Sequence, residues 1–133
     1  MSDTYLPLIK AVIARLKATS AVTSIVGQRI YTDVPQKETF PYIVITAESA
    51  DYSAKDFSGM EHTLEIHGFS RSKTPLEAGN IRSESYDVIN RNESGLTLDN
   101  GSMTNVYYQT GAIFKEPDGV TWHSLGQYRV VIT

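Results

Sequence analysis

The sequence predicts an α+β fold: a mostly antiparallel sheet with two main helices packed on it, ending in a C-terminal β-hairpin. Three observations predict it. Apolar residues recur at helical spacing in two stretches, one near the start and one past the middle. Strand-like stretches come in runs of three rather than alternating singly with helices, which favours antiparallel pairing over parallel βαβ units. The chain closes with two long strand-like stretches around Lys115-Glu116-Pro117-Asp118-Gly119. Pro presets φ at the first central turn position, and Asp-Gly tolerates the left-handed backbone that a tight turn needs.

Residues 4–18 read as a helix. Thr4 is the candidate N-cap and Pro7 sits in the first turn, where a missing N–H costs little. Leu8, Ile9, Val12, Ile13 and Leu16 form its apolar stripe. Residues 20–26 make a shorter helical turn stopped by Gly27. Arg29-Ile30-Tyr31 starts a short strand that breaks at Val34-Pro35. Tyr42 to Thr46 is the clearest buried strand, and Pro41 is acceptable only at its start.

Residues 48–59 read as a solvated connection or the tip of an extended hairpin. Residues 60–70 alternate, with Leu64 and Ile66 on one face and Thr63, Glu65, His67 and Phe69 on the other. A helix over 76–91 follows, with Leu76, Ile81, Tyr86, Val88 and Ile89 as its apolar side. Residues 92–95 break it. Leu96-Thr97-Leu98 reads as a short strand before the Asp99-Asn100-Gly101 turn. Residues 103–114 and 120–133 are the hairpin strands. The final Tyr128-Arg129-Val130-Val131-Ile132-Thr133 is β-rich and expected to dock in the sheet.

A length of 133 residues suits one domain, expected over 1–133, and a 41% hydrophobic fraction suffices for one core. The formal net charge is −3, which argues against a surface dedicated to coating DNA. The chain has no Cys, so disulfides, thiolate metal sites and a Cys nucleophile are excluded. No secretory leader is read at the start, and no apolar run approaches the ~20 residues that span a bilayer.

The motifs of catalysis are missing. Gly-x-Ser-x-Gly, Gly-x-Gly-x-x-Gly and the Lys-containing P-loop do not occur. His62 and His67 are five apart on a strand, hence on opposite faces, and read as surface or interface histidines rather than metal ligands. Glu61 and Glu65 share a strand face that reads as solvated. No enzymatic activity, cofactor or metal is expected. Residues 48–65 carry Glu48, Asp51, Asp56, Glu61 and Glu65 against Lys55, a balance that aids solubility or repels passing phosphate.

Taken together, these motifs resemble the tail-completion family (tail terminators, or tail-to-head joining proteins) of long-tailed bacteriophages and prophages. The residues that carry the resemblance are Val26-Gly27-Gln28-Arg29-Ile30-Tyr31, Val34-Pro35-Gln36, Phe40-Pro41-Tyr42-Ile43-Val44, Glu61-His62-Thr63-Leu64-Glu65-Ile66-His67, Phe69-Ser70-Arg71, Pro117-Asp118-Gly119-Val120-Thr121-Trp122-His123 and Tyr128-Arg129-Val130. Their order and spacing over the chain is the signal. The resemblance implies a structural protein made in the host cytoplasm and placed at the head-proximal end of the virion tail. It implies a ring of copies, commonly a hexamer, that ends the tail tube and joins it to the head. Implied partners are the chain itself, a tail-tube protein and a head-closure or connector protein, with DNA passing through unbound and no membrane. A connector subunit, a small enzyme and a ligand-binding domain are the alternatives.

Eight Tyr and one Trp suit contact surfaces. Sheet edges are a further adhesive, with the final strand and the Tyr107-Tyr108 stretch as candidates. The candidate assembly residues are Asp51, Tyr52, Asp56 and Phe57 on the 48–59 segment, and Tyr107, Asp118, Trp122 and Arg129 on the final hairpin.

Overall fold

A computed structural model describes residues 3–53, 55 and 58–133, with the backbone alone at Thr104. The first helix, α1 (Tyr5–Lys17), buries Leu8, Ile9, Ala11, Val12 and Leu16, the stripe that the spacing dictates. Thr4 precedes it without capping by its side chain. The Tyr5 N–H donates instead to Asp3 Oδ1 at 2.9 Å, and the Thr4 hydroxyl is engaged elsewhere, with His62. Helix α2 (Ser20–Val26) ends on Gly27 at φ 61°, backbone that a side chain would strain.

Strand β1 is only Ile30–Tyr31. Strand β2 (Tyr42–Asp51) runs five residues further than its apolar start predicts, and β3 (Met60–Ser70) returns beside it. The 48–59 segment is therefore mostly the far end of an extended hairpin. Backbone pairing, rather than burial, carries β2 onward: Glu48, Ser49, Ala50 and Asp51 are exposed, yet each lies opposite a β3 residue. The Phe40–Pro41 peptide bond ahead of β2 is cis.

Helix α3 (Leu76–Ile89) buries Ala78, Ile81, Ser85 and Ile89. Two residues expected on its apolar side point outward, Leu76 at 71% exposure and Tyr86 at 40%. Residues 96–98 form no strand. A 3-10 turn at Glu93–Gly95 precedes them, and Leu96 is buried without ladder pairing. Strands β4 (Met103–Lys115) and β5 (Trp122–Ile132) form the closing hairpin. Asp118 holds its turn, accepting from the N–H groups of Val120 and Thr121 and from the Thr121 hydroxyl.

The sheet order is β1-β2-β3-β5-β4, parallel only between β1 and β2. The final strand is thus interior, flanked by β3 and β4. It has no free edge, which corrects its candidacy as an adhesive edge. All three helices share one core with the inward side chains of the sheet, including Ile43, Ile45, Leu64, Ile66, Val106, Tyr128, Val130 and Ile132. Burial of each such side chain stabilises by about 1.5–3 kcal/mol. No described helix lies on the opposite face of the sheet.

Candidate functional site

Strand alternation assigns the uncovered face residue by residue. It carries Tyr42, Val44, Thr46 and Glu48 from β2, and Glu61, Thr63, Glu65, His67 and Phe69 from β3. It continues through His123, Leu125, Gln127 and Arg129 of β5 to Tyr107, Ala112 and Phe114 of β4. Its two ends differ in chemistry.

One end is charged and phenolic. Arg129 donates to Glu61 Oε2 at 2.6 Å and to the Tyr107 hydroxyl at 3.0 Å. Its guanidinium carbon lies 5.7 Å from the centre of the Tyr52 ring. Side-chain hydrogen bonds from Glu61 and Tyr107 raise the Arg129 pKa further above its ordinary value, so it is a fixed cation. Asp51 ends β2 nearby, its side chain on the helix side by alternation, and accepts the Ser53 N–H at 3.0 Å. Of the sequence candidates, Tyr52, Tyr107 and Arg129 are thus brought together, Asp51 falls on the helix side by strand alternation, and Asp56 and Phe57 lie outside the described residues.

The other end is aromatic. Tyr42 stacks on Phe69 with 5.2 Å between centroids, and Phe69 on His123 at 4.3 Å. Phe114 tilts against His123 at 4.7 Å. An open cleft of about 310 Å³ runs from Phe40, Tyr42 and Phe69 to Arg71 and the 116–118 turn. Asp118 borders it, its carboxyl pulled down to about 2, chiefly by the Thr121 hydroxyl and then by backbone N–H groups. Trp122 is adjacent in sequence but half-buried on the helix side of the sheet, under the Lys115 ammonium at 4.9 Å. The candidates therefore split into two groups. From Glu61 to Phe69 along β3 the separation is roughly 26 Å at strand rise.

Sequence reasoning missed a hydrogen-bonded chain across the aromatic end. His123 Nδ1 meets Glu116 Oε1 at 2.6 Å, and His123 Nε2 meets His67 Nδ1 at 2.8 Å. His67 Nε2 lies 3.3 Å from the Thr46 hydroxyl and 3.4 Å from Glu65 Oε1. A carboxylate can only accept, so His123 carries its proton on Nδ1 and receives one from His67 Nδ1–H. One added proton fits on His67 Nε2, facing Glu65. A second would set two N–H groups head to head. The signal in the sequence was the mixed face of His67 and Phe69. Only the β3–β5 register, with Phe69 opposite His123, reveals the partner.

His62 and His67 do lie on opposite faces, but His62 is no surface residue. It is fully buried, with its ring nitrogens 2.8 Å from the Thr4 hydroxyl and 2.6 Å from the Ser49 hydroxyl. Burial holds both His62 and His67 below the ordinary imidazole value, and the neighbouring His123 adds to the effect at His67. The unfolded chain therefore binds protons near pH 6.5 that the folded chain refuses. Stability is expected to fall as pH drops below ~6.5. Urea midpoints measured at pH 7.5, 6.5 and 5.5 should decrease in that order, and His62→Gln should flatten the decrease. A midpoint that rises on acidification would contradict this.

The fold is an α+β subunit whose sheet is covered by helices on one face and, among the described residues, by none on the other. The profile of the family described as tail completion protein gp17 matches residues 10–133. The chain belongs to that family, and with it to the structural tail proteins of phage-type virions. Among solved structures, a chain from the virion of a native gene transfer agent particle superposes with a TM-score of 0.90 at 18% identity, covering 99% of this chain and 98% of that one. No curated protein sequence matches significantly.

Proposed function

We propose that the chain is a tail terminator: a ring of copies that ends the tail tube and joins it to the head. The observation that carries this reading is the bare sheet face, which offers a charged contact at one end and an aromatic contact at the other. A subunit wedged between a tail tube and a head connector needs two unlike surfaces, as well as surfaces for its own copies. The family supports the tail placement, while ring, copy number and head joining are the proposal. Glu48, Asp51, Glu61 and Glu65 would let DNA pass without adhering. Tight, strongly salt-dependent DNA binding would count against that role.

The test is to mix the purified chain with polymerising tail-tube protein and measure tube length by electron microscopy. Stoichiometric addition should halt growth and leave a ring at one tube end. Phe69→Ala, at the aromatic end of the bare face and outside the main core, should impair this capping while costing about 1 kcal/mol of stability. Unimpeded tube growth with wild-type chain would refute the proposal.

A further inference from the structure

Edge strands expose unpaired backbone that proteins usually protect. Strand β4 is an outer strand, and its first half is protected. The Val106 N–H donates to Glu93 Oε2, the Tyr108 N–H to Asn90 Oδ1, and the Arg91 N–H to the Val106 carbonyl. These contacts show that residues 106 and 108 turn their backbone groups outward. The irregularity between Tyr108 and Thr110 shifts the alternation by one, so Gly111, Ile113 and Lys115 face outward beyond it. Among the described residues, no backbone hydrogen bond reaches them from that side. Ile113 is 37% and Phe114 43% exposed, an apolar edge open to pairing.

The far side of the sheet matches it. The Ile43 N–H donates to the Arg29 carbonyl, so odd residues of β2 turn their backbone toward β1. Strand β1 covers only positions 43 and 44. Ala47, Ser49 and Asp51 therefore present the same three-residue pattern, open among the described residues. The charges are complementary: positions 46–51 carry Glu48 and Asp51, and positions 109–115 carry Lys115 alone.

We infer that copies of this chain join edge to edge, the 109–115 edge of β4 pairing with the 46–51 edge of β2 on the next copy. The inference rests on the ring reading and names the contact that builds it. Strands β2, β3, β5 and β4 alternate in direction, so β4 runs opposite to β2. Rotation about an axis along the strands preserves direction, and the new pair is antiparallel, the more stable kind. Each copy uses two different edges, so the contact is head-to-tail and closes by rotation. In full register Glu48 lies opposite Phe114 as a non-hydrogen-bonded pair, with Cα atoms about 4.5 Å apart.

That spacing suits a disulfide, and the chain has no Cys of its own to interfere. The Glu48→Cys/Phe114→Cys double variant, oxidised at assembling concentration, should give a non-reducing ladder of multimers up to ring size. Neither single variant should give a ladder. Ala47→Pro and Ile113→Pro each remove one outward N–H at an edge where proline is tolerated. Each should weaken association by about tenfold with little change in melting temperature. If a proline variant fails to fold, the disulfide ladder decides. Wild-type rings without a ladder, together with folded proline variants that assemble normally, would overturn edge pairing and leave the ring reading intact. A wild-type chain that forms no ring, alone or on tail tubes, would remove both.

Discussion

Tyr128→Ala is expected to cost about 3–5 kcal/mol of folding free energy, the usual loss for truncating a fully buried aromatic. Tyr128 is 1% exposed in the interior strand, opposite Leu64 on one side and Tyr108 on the other. Its ring meets Tyr108 edge-on at 5.6 Å, and Tyr108 meets Tyr86 edge-on at 5.4 Å. Truncation removes the buried end of this aromatic ladder along with the packing between β3 and β4. A domain of this size holds about 5–15 kcal/mol, so the variant would be marginal. Burial raises the phenol pKa, so the hydroxyl stays neutral at any ordinary pH. Tyr128→Phe is therefore expected to cost less than about 1.5 kcal/mol. Urea denaturation of the two variants separates shape from hydroxyl, and near-equal midpoints would refute the assignment.

Gly68→Ala is expected to cost about 2–3 kcal/mol through overpacking. Gly68 sits in β3 where α3 crosses the sheet. An added Cβ would lie 2.6 Å from Ser124 Oγ and 2.7 Å from Ile81 Cγ2, closer than such atoms approach. The helix would have to lift, exposing Ala78 and Ile81 to water. Because the clash is with particular atoms, its cost is non-additive. Ile81→Ala should lower the further cost of Gly68→Ala, as a double-mutant cycle on midpoints would show. Ser124→Ala alone should be nearly neutral, because its hydroxyl is buried without a hydrogen-bond partner among the described residues.

The helices and the long strands were legible because their apolar residues repeat at 3.6 or 2 residues. The alternation of 60–70 gave β3 to the residue, and Pro-Asp-Gly gave the hairpin turn. Features set by long-range pairing were hidden. Exposed residues 48–51 became strand because β3 lies beside them. Leu96 is apolar for the core alone, and His62 is buried because Thr4 and Ser49 complete its ring. The same holds for the site. Tyr52, Tyr107 and Arg129 were singled out by residue type, but their convergence depends on β5 entering between β3 and β4. That register also created the His67–His123 contact, which no local pattern encodes.

The interior position of β5 has a kinetic consequence. Its partners in β3 lie more than fifty positions earlier in the chain, whereas its partners in β4 are local. The β4–β5 hairpin can close on its own, but the sheet stays split until that hairpin slots beside β3. Refolding is expected to be limited by closing this long loop rather than by helix formation, which is faster by orders of magnitude. Until it closes, the inner margin of β3 is bare, and crowding many chains together at that moment would favour strand exchange between neighbours over correct closure.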